Sequence, residues 1–363
     1  MNILHISRTM GQGGAEKIVY QLCENNAHKQ CVISTGGIYV NKLEKIGVKH
    51  FYMPDIENKR ITLMIECFFK IFKVVKKQKI DIIHTHHRMA AFYARLICII
   101  CPKIKHVYTA HNIFSNRKAL TRFSLKNATI VAVGKGVKNN LVNDYEILDE
   151  RVNIIYNSIK KPKINHQKRN RVLEDLLKNE KYLVGNIGRL TEQKGFDIFV
   201  KAISNVSKIN PNIVGVIVGD GEDRKKIENT VISLHLEKNI CFLGYQANIF
   251  EIIEQLNFIV LSSRWEGFPL TPIESFALGK TIIASDITGN KEIIIDGYNG
   301  ILFKSENIED LSEKILFLME NTKIKSELEN QAQITYNNKF MYEVFLYKYQ
   351  KLYGENYNKK NVD

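Results

Sequence analysis

Two glutamates with seven residues between them bound the stretch Glu266-Gly267-Phe268-Pro269-Leu270-Thr271-Pro272-Ile273-Glu274. A loop carboxylate before a glycine, next to the chain's one tryptophan, is better placed to accept hydrogen bonds from ligand hydroxyls than to hold a fold together. Thr271 suits a helix N-cap and Pro272 the first helical position, so the N–H groups of Leu270 and Thr271 would face an anion such as phosphate. Thr271-x-x-Glu274 also spells a capping box, which leaves open whether Glu274 serves the helix or a ribose diol.

A second cluster reads Gly188-Arg189-Leu190-Thr191-Glu192-Gln193-Lys194-Gly195. Arg189 can clasp two oxygens in a fork while Lys194 acts as a movable point charge, which suits a diphosphate, but a pair of solvated surface cations would read the same. Val218-Gly219-Asp220-Gly221-Glu222 ends an apolar run, where two glycines let the chain turn tightly and approach a nucleotide. Near the start, Gly11-Gln12-Gly13-Gly14-Ala15-Glu16 could bring N–H groups to a phosphate, yet Glu16 stands where a dinucleotide fingerprint needs its third glycine. No acidic residue closes a strand about 20 residues on, which disfavours a nicotinamide enzyme. His84, His86 and His87 follow one apolar run and His111 another. Without a nearby cysteine or carboxylate, or any Asp-x-Asp, they indicate no metal site.

Elements that could position these residues alternate along the whole chain. Apolar runs predict strands near 2–7, 30–35, 49–52, 80–84, 105–109, 129–133 and 152–155, then near 181–187, 213–218, 240–243, 258–261 and 281–285. Helical periodicity fills 15–24, 62–77, 89–98 and 136–143, then 195–206, 222–234, 249–256 and 272–279. The alternation predicts an α/β fold with parallel sheets wrapped on both faces. A charged break from Lys160 to Arg171 separates residues 1–160 from 161–339, giving two doubly wound, Rossmann-like domains facing across a cleft. The aromatic-rich helix of about 340–363 is expected to pack back on the first domain.

The glutamate pair and its surrounding Glu-Gly-Phe-Pro-Leu-Thr-Pro-Ile-Glu resemble the signature of the retaining GT-B glycosyltransferases of family four. Arg189 and Lys194 resemble that family's diphosphate-binding pair, and Thr109-Ala110-His111-Asn112 its histidine motif. The resemblance implies retaining transfer of a sugar from a nucleotide diphosphate-sugar, by a hexosyl- or N-acetylhexosaminyltransferase that needs no metal and no cofactor. His111, Glu266, Arg189 and Lys194 would be catalytic. Gly13, Gly14, His84, His86, Gly221, Tyr245, Phe268, Leu270, Thr271 and Glu274 would bind substrate. Family habit favours uridine over guanosine as the base.

Charge adds a second theme. Residues 1–160 carry 25 Lys and Arg against 11 Asp and Glu, and the rest of the chain balances at 27 of each. A one-sided basic field draws anionic surfaces, and the helix around 59–79 carries lysines beside aromatics. That fits a lipid-linked or oligosaccharide acceptor in polysaccharide or lipopolysaccharide synthesis, met on an anionic bilayer. No secretion signal or spanning segment is legible, so the protein is expected in the cytoplasm, or peripheral on the cytosolic face of a bacterial inner membrane. Six scattered cysteines, with Cys98 and Cys101 in an apolar run, read as core thiols. Two alternatives stay open: a non-hydrolysing sugar-nucleotide epimerase, or a non-enzymatic basic protein on membrane or nucleic acid. Aromatics that do not alternate with cations speak against a nucleic-acid partner.

Overall fold

The computed structural model describes residues 1–25, 27–161 and 169–354. The part of the expected linker at 162–168, and the last residues of the expected tail helix at 355–363, lie outside the described residues. The chain forms two compact units. One comprises Met1–Asn157 together with the described residues from Glu343 on, and the other Ser158–Tyr342.

In the first unit the strands are β1 (Asn2–Ile6), β2 (Lys29–Ser34), β3 (Lys49–Tyr52), β4 (Ile82–Thr85), β5 (Lys105–Ala110), β6 (Thr129–Ala132) and β7 (Val152–Ile154). They form one sheet in the order β3-β2-β1-β4-β5-β6-β7, and every pair is parallel. In the second unit β8 (Tyr182–Ile187), β9 (Ile213–Val218), β10 (Ile240–Gly244), β11 (Phe258–Leu261), β12 (Ile282–Ser285) and β13 (Ile301–Phe303) lie in the order β10-β9-β8-β11-β12-β13, again all parallel. Parallel strands need crossover connections, here mostly helical, and helices on both faces bury the strands on both sides. That is why β9 reads Ile-Val-Gly-Val-Ile-Val with every residue buried. The second core runs from Val184 and Phe258 in the sheet to Phe199 and Ile203 on helix Phe196–Ser207 and Leu311 and Ile315 on helix Ile308–Glu320.

Several short elements depart from the sequence reading. β13 has three residues, too few to show a period. Helix Arg171–Lys178 occupies the end of the expected break because Asn170 caps it, accepting from Leu173 N–H at 3.2 Å. Helices Tyr39–Lys45 and Lys118–Leu125 were not expected either, and the segment expected to be helical at 136–143 is a short α-helix, Lys135–Asn139, running into a π-turn, Asn140–Asp144. All six cysteines are free thiols, but Cys98 and Cys101 are half-buried at a helix end rather than in the core.

Helix Tyr342–Tyr353 belongs to the first unit from Glu343 onward, and its tyrosines plug the top of that sheet. The Tyr353 hydroxyl meets His84 Nδ1 at 2.7 Å, and the Tyr349 hydroxyl meets Thr109 Oγ1 at 3.1 Å, both buried.

In each sheet the winding reverses beside the first strand. β1 lies between β2 and β4, and β8 lies between β9 and β11. Loops leaving the carboxyl ends of the strands on either side of such a reversal diverge and open a crevice, where ligands of this architecture bind.

Candidate functional site

The two loops that leave the second reversal are the two strongest motifs of the sequence. Gly188–Gly195 follows β8, and Ser262–Leu270 follows β11. Their approach depends on glycine. Gly195 has φ +59°, and a Cβ there would collide with the Ser262 carbonyl oxygen; Gly219 has φ +136°, and a Cβ there would collide with the Gly188 carbonyl oxygen. Ser262 Oγ donates to the Gly195 carbonyl at 2.7 Å and accepts from Asn186 Nδ2 at 2.9 Å, which fixes the turn onto the end of β11.

On this frame Lys194 Nζ donates to Glu266 Oε1 at 2.5 Å. The same oxygen accepts from Ser263 Oγ at 2.7 Å, and Gln193 Nε2 approaches Oε2 at 3.5 Å. The side chains are 19% and 7% exposed, so the ion pair is largely withdrawn from water. Lys194 is therefore not a solvated surface cation, and it is not free: the two residues carry the charge of the site jointly. Arg189 is the opposite case, exposed and without a hydrogen bond or ion pair among the described residues. Glu274 is buried.

Two expectations for this unit need correction. Thr271 is the first helical residue, not the cap; Leu270 takes the cap position, and Glu274 N–H donates to the Leu270 carbonyl at 2.9 Å. The Thr271 hydroxyl instead points at the Ile187 carbonyl at 3.5 Å, tying the helix to the end of β8. The Phe268 ring is buried against Phe340, with centroids 6.1 Å apart, so it is a core contact rather than a ligand platform. At Gly221 the Leu190 backbone fills the space where a Cβ would sit, which by itself calls for glycine. Leu270 is half-buried, and Tyr245 stands exposed at the end of β10.

Sequence reasoning missed the supports. Arg264 forks onto Asp197 at 3.0 and 2.8 Å, donates to Glu306 at 2.9 Å, and reaches the Glu192 carbonyl at 2.8 Å, bracing one loop against the other. Ser285 Oγ donates to the Ser263 carbonyl at 2.5 Å and accepts from Asn290 Nδ2 at 3.2 Å, a buried polar shelf under Glu266. Gly289 packs on the Glu266 backbone. The polar run Ser285-Asp286-Ile287-Thr288-Gly289-Asn290 was the available signal.

At the first unit's reversal, Gly13 and Gly14 are exposed at the start of helix Gly14–Glu24. Glu16 folds back over Gly13 and accepts from Thr9 Oγ1 at 2.5 Å, placing a carboxylate near the N–H groups at that end. Beyond β4 and β5 the structure gathers histidines, but not as free ligand contacts. His84 is fully buried, with Nε2 on Thr109 Oγ1 at 2.8 Å and Nδ1 on Tyr353, so it has no nitrogen left for a substrate. His86 is also buried. His111 is half-buried and meets His86 through Nε2 at 3.2 Å. His87 caps helix Arg88–Ile100, accepting from Met89 N–H.

His5, which drew no attention in the strand it occupies, joins this group. His5, His84 and His86 bring ring nitrogens within 4.8 Å of one another. Three imidazoles so close could hold a metal ion. Every ring nitrogen of the three already has a hydrogen-bond partner, so an ion would have to displace bonds that are made. Burial keeps the imidazoles neutral. It lowers His5 to about 4 against a partial offset from Gln30, lowers His111 to about 4, and lowers His84 and His86 well below the usual histidine range.

Two outcomes follow. Removing Lys194 leaves the Glu266 charge short of its counter-ion in a poorly solvated place, so Lys194→Ala should cost about 2–3 kcal/mol of stability, while Arg189→Ala stays within about 0.5 kcal/mol. Thermal melts decide it, and equal melting temperatures would rule out the buried pair. For pH, the folded values of His5 (about 4) and His106 (about 3) lie below the ordinary 6.5. The unfolded chain therefore takes up protons that the folded one refuses. Stability should be level above about pH 7 and fall on acidification from 6.5 toward 4, by ~1.4 kcal/mol per pH unit for each such histidine. Melts at pH 7.5, 6.5, 5.8 and 5.0 test this in a window where carboxylates scarcely titrate.

Comparison with known proteins agrees with the geometry. The family of glycosyl transferases group 1 matches residues 168–337, and glycosyltransferase family 4 matches residues 12–161. An uncharacterized glycosyltransferase of Methanocaldococcus jannaschii is 31% identical over 300 residues, covering 79% of each chain. A UDP-Gal:alpha-D-GlcNAc-diphosphoundecaprenol alpha-1,3-galactosyltransferase of Escherichia coli is 26% identical over 72% of each. The crystal structure of Anabaena HepE in complex with UDP-glucose superposes with a TM-score of 0.87 at 20% identity, covering 97% of this chain and 99% of that one. Two parallel-sheet Rossmann-like domains match the GT-B architecture, and the chain belongs to the glycosyl transferases of group 1.

Proposed function

We propose that the protein transfers a hexosyl or N-acetylhexosaminyl group, with retention of anomeric configuration, from a UDP-sugar to a lipid-linked or oligosaccharide acceptor in surface polysaccharide or glycoconjugate synthesis. The observation that carries this reading is the withdrawn Lys194–Glu266 pair at the second reversal, with unpartnered Arg189 on the same loop. A diphosphate arriving there offers Lys194 a doubly charged partner. As the ammonium swings to the phosphate oxygens, Glu266 is released to accept hydrogen bonds from sugar hydroxyls, with Ser263 still holding it. Arg189 adds a fork to the diphosphate, and Glu274 takes the ribose. Both cations then stabilise the charge that develops as the glycosidic bond breaks. The acceptor hydroxyl attacks from the face the diphosphate leaves, and its proton passes to the departing phosphate oxygen. The chain supplies the positive charge itself, and its sequence has no Asp-x-Asp to hold a divalent ion. The E. coli relative's name, with its UDP-Gal donor and diphosphoundecaprenol-linked acceptor, supports the uridine and lipid-linked choices.

No helix of the described residues is long and apolar enough to cross a membrane. Helix Ile61–Lys77 supports a peripheral, cytosolic-face location. It buries Cys67, Ile71, Val74 and Val75 inward and leaves Ile61, Ile65 and Phe69 exposed at four-residue spacing, with Arg60 and Lys73 exposed nearby. An apolar stripe flanked by cations suits an anionic bilayer.

A thermal-shift panel of UDP, GDP, ADP and NAD without added metal should single out UDP, with the shift lost in Glu274→Ala. In transfer assays with UDP-sugars, Arg189→Ala and Lys194→Ala should lower turnover by roughly one to two orders of magnitude. Stabilisation by NAD alone, or unchanged turnover in both variants, would sink the diphosphate assignment. Conversion of one UDP-sugar to another without acceptor would choose an epimerase. For the membrane, the protein should float with phosphatidylglycerol vesicles and not with phosphatidylcholine ones, and Ile65→Ser/Phe69→Ser should weaken flotation. Indifference to both vesicles removes the membrane part alone.

A further inference from the structure

Four side chains, one on or just beyond each of four neighbouring strands, form a continuous hydrogen-bonded line. Gln30 lies on β2, His5 on β1, His86 just beyond β4 and His111 just beyond β5, and the sheet places those strands side by side. Gln30 Oε1 meets His5 Nε2 at 2.7 Å, His5 Nδ1 meets His86 Nε2 at 3.1 Å, and His86 Nδ1 meets His111 Nε2 at 3.2 Å.

The direction of this line is fixed at one end. Gln30 Nε2 donates to two backbone carbonyls, those of Leu22 and Asn25, each at 2.8 Å. Carbonyls only accept, so both amide hydrogens are committed and Oε1 must be the atom that faces His5. His5 Nε2 therefore carries a proton. In a neutral imidazole the other nitrogen is then an acceptor, so His5 Nδ1 accepts a hydrogen bond from the N–H of His86 Nε2. The same step repeats, and His86 Nδ1 accepts from the N–H of His111 Nε2. The remaining nitrogen of His111, Nδ1, is left with its lone pair and has no hydrogen-bond partner among the described residues. Burial of His5 and His86 excludes the charged forms that would break the sequence.

We propose that Gln30, His5 and His86 are positioning residues that lock the tautomer of His111, so that its Nδ1 is a permanent acceptor for a hydroxyl of a bound saccharide. The saccharide part rests on the glycosyl-transfer reading; the tautomer lock does not. An unlocked His111 would spend part of its time with a hydrogen on Nδ1, which can still pair with a hydroxyl oxygen but selects a different hydroxyl orientation. The lock makes the recognition single-valued.

The test uses the full chain with ¹⁵N-labelled histidine. Long-range ¹H–¹⁵N spectra, with His111 assigned by its loss in His111→Gln, should show His111 neutral and protonated on Nε2. A proton on Nδ1, or an averaged signal from both tautomers, overturns the lock without any variant or substrate. His5→Leu removes the acceptor for His86 and should release His111 to a mixture, while His5→Asn offers a carbonyl oxygen in place of Nδ1 and should restore the single tautomer. In transfer assays kcat/KM should fall about tenfold in His5→Leu, the scale of one lost hydrogen bond, with most of the loss recovered in His5→Asn. If His5→Leu does not fold, the unsubstituted protein's spectrum and His5→Asn still decide the lock. A released tautomer with unchanged kcat/KM overturns the acceptor role. If the lock holds but no sugar is transferred by any preparation, the glycosyl-transfer reading fails and the lock stands.

Discussion

A parallel sheet cannot be wound outward in both directions without a reversal, and that constraint locates everything chemical in this chain. Beside β1 and beside β8 the connections part company, one set leading to one edge of the sheet and the other to the opposite edge. Loops that leave the strands on either side of a reversal diverge, so a ligand can approach backbone and side chain there. Both loops of the second reversal are spent on charge: one carries Arg189 and Lys194, the other Glu266. The loops of the first are spent on Gly13, Glu16 and the histidine group. Strand residues that only pack, as in β9, are buried on both faces and carry no ionisable group.

Opposite charges held in a poorly solvated place are costly unless they satisfy each other, and Lys194 and Glu266 do so. The pair is braced from several sides: Ser262 under the turn, Arg264 across to Asp197, Ser285 and Asn290 beneath Ser263. Such supports give a site its precision, because the groups they hold cannot drift when their partners change.

How much of this was legible depended on range. Strand positions and the two-part organisation came through because each strand is a local apolar run bounded by turns. The glutamate pair, Arg189 and Lys194 could be singled out because each motif is contiguous. What did not come through joins residues far apart in the chain. Arg264 and Asp197 are 67 residues apart, and nothing in either neighbourhood names the other. Phe268 looked like a ligand contact because it sits inside the motif, but Phe340, contributed by a distant helix end, turns it into core. The Thr271 cap reading failed by one residue, a common fate for helix ends, because Leu270 already has helical dihedrals. His5 was invisible for the opposite reason: within Asn2–Ile6 it reads as one polar residue of a strand, and only the sheet order brings Gln30 and His86 to its two nitrogens.

The first unit is discontinuous, closed by a helix from the other end of the chain. His84 and its partner Tyr353 lie 269 residues apart. During synthesis at about 5–20 residues per second, the histidine emerges from the ribosome on the order of ten seconds to a minute before the tyrosine exists. Through that interval the second unit can be completed while the first still lacks its last piece. The ribosome thus imposes an order on maturation: the half that carries Lys194 and Glu266 is finished before the half that carries the histidines, although the histidines were made first.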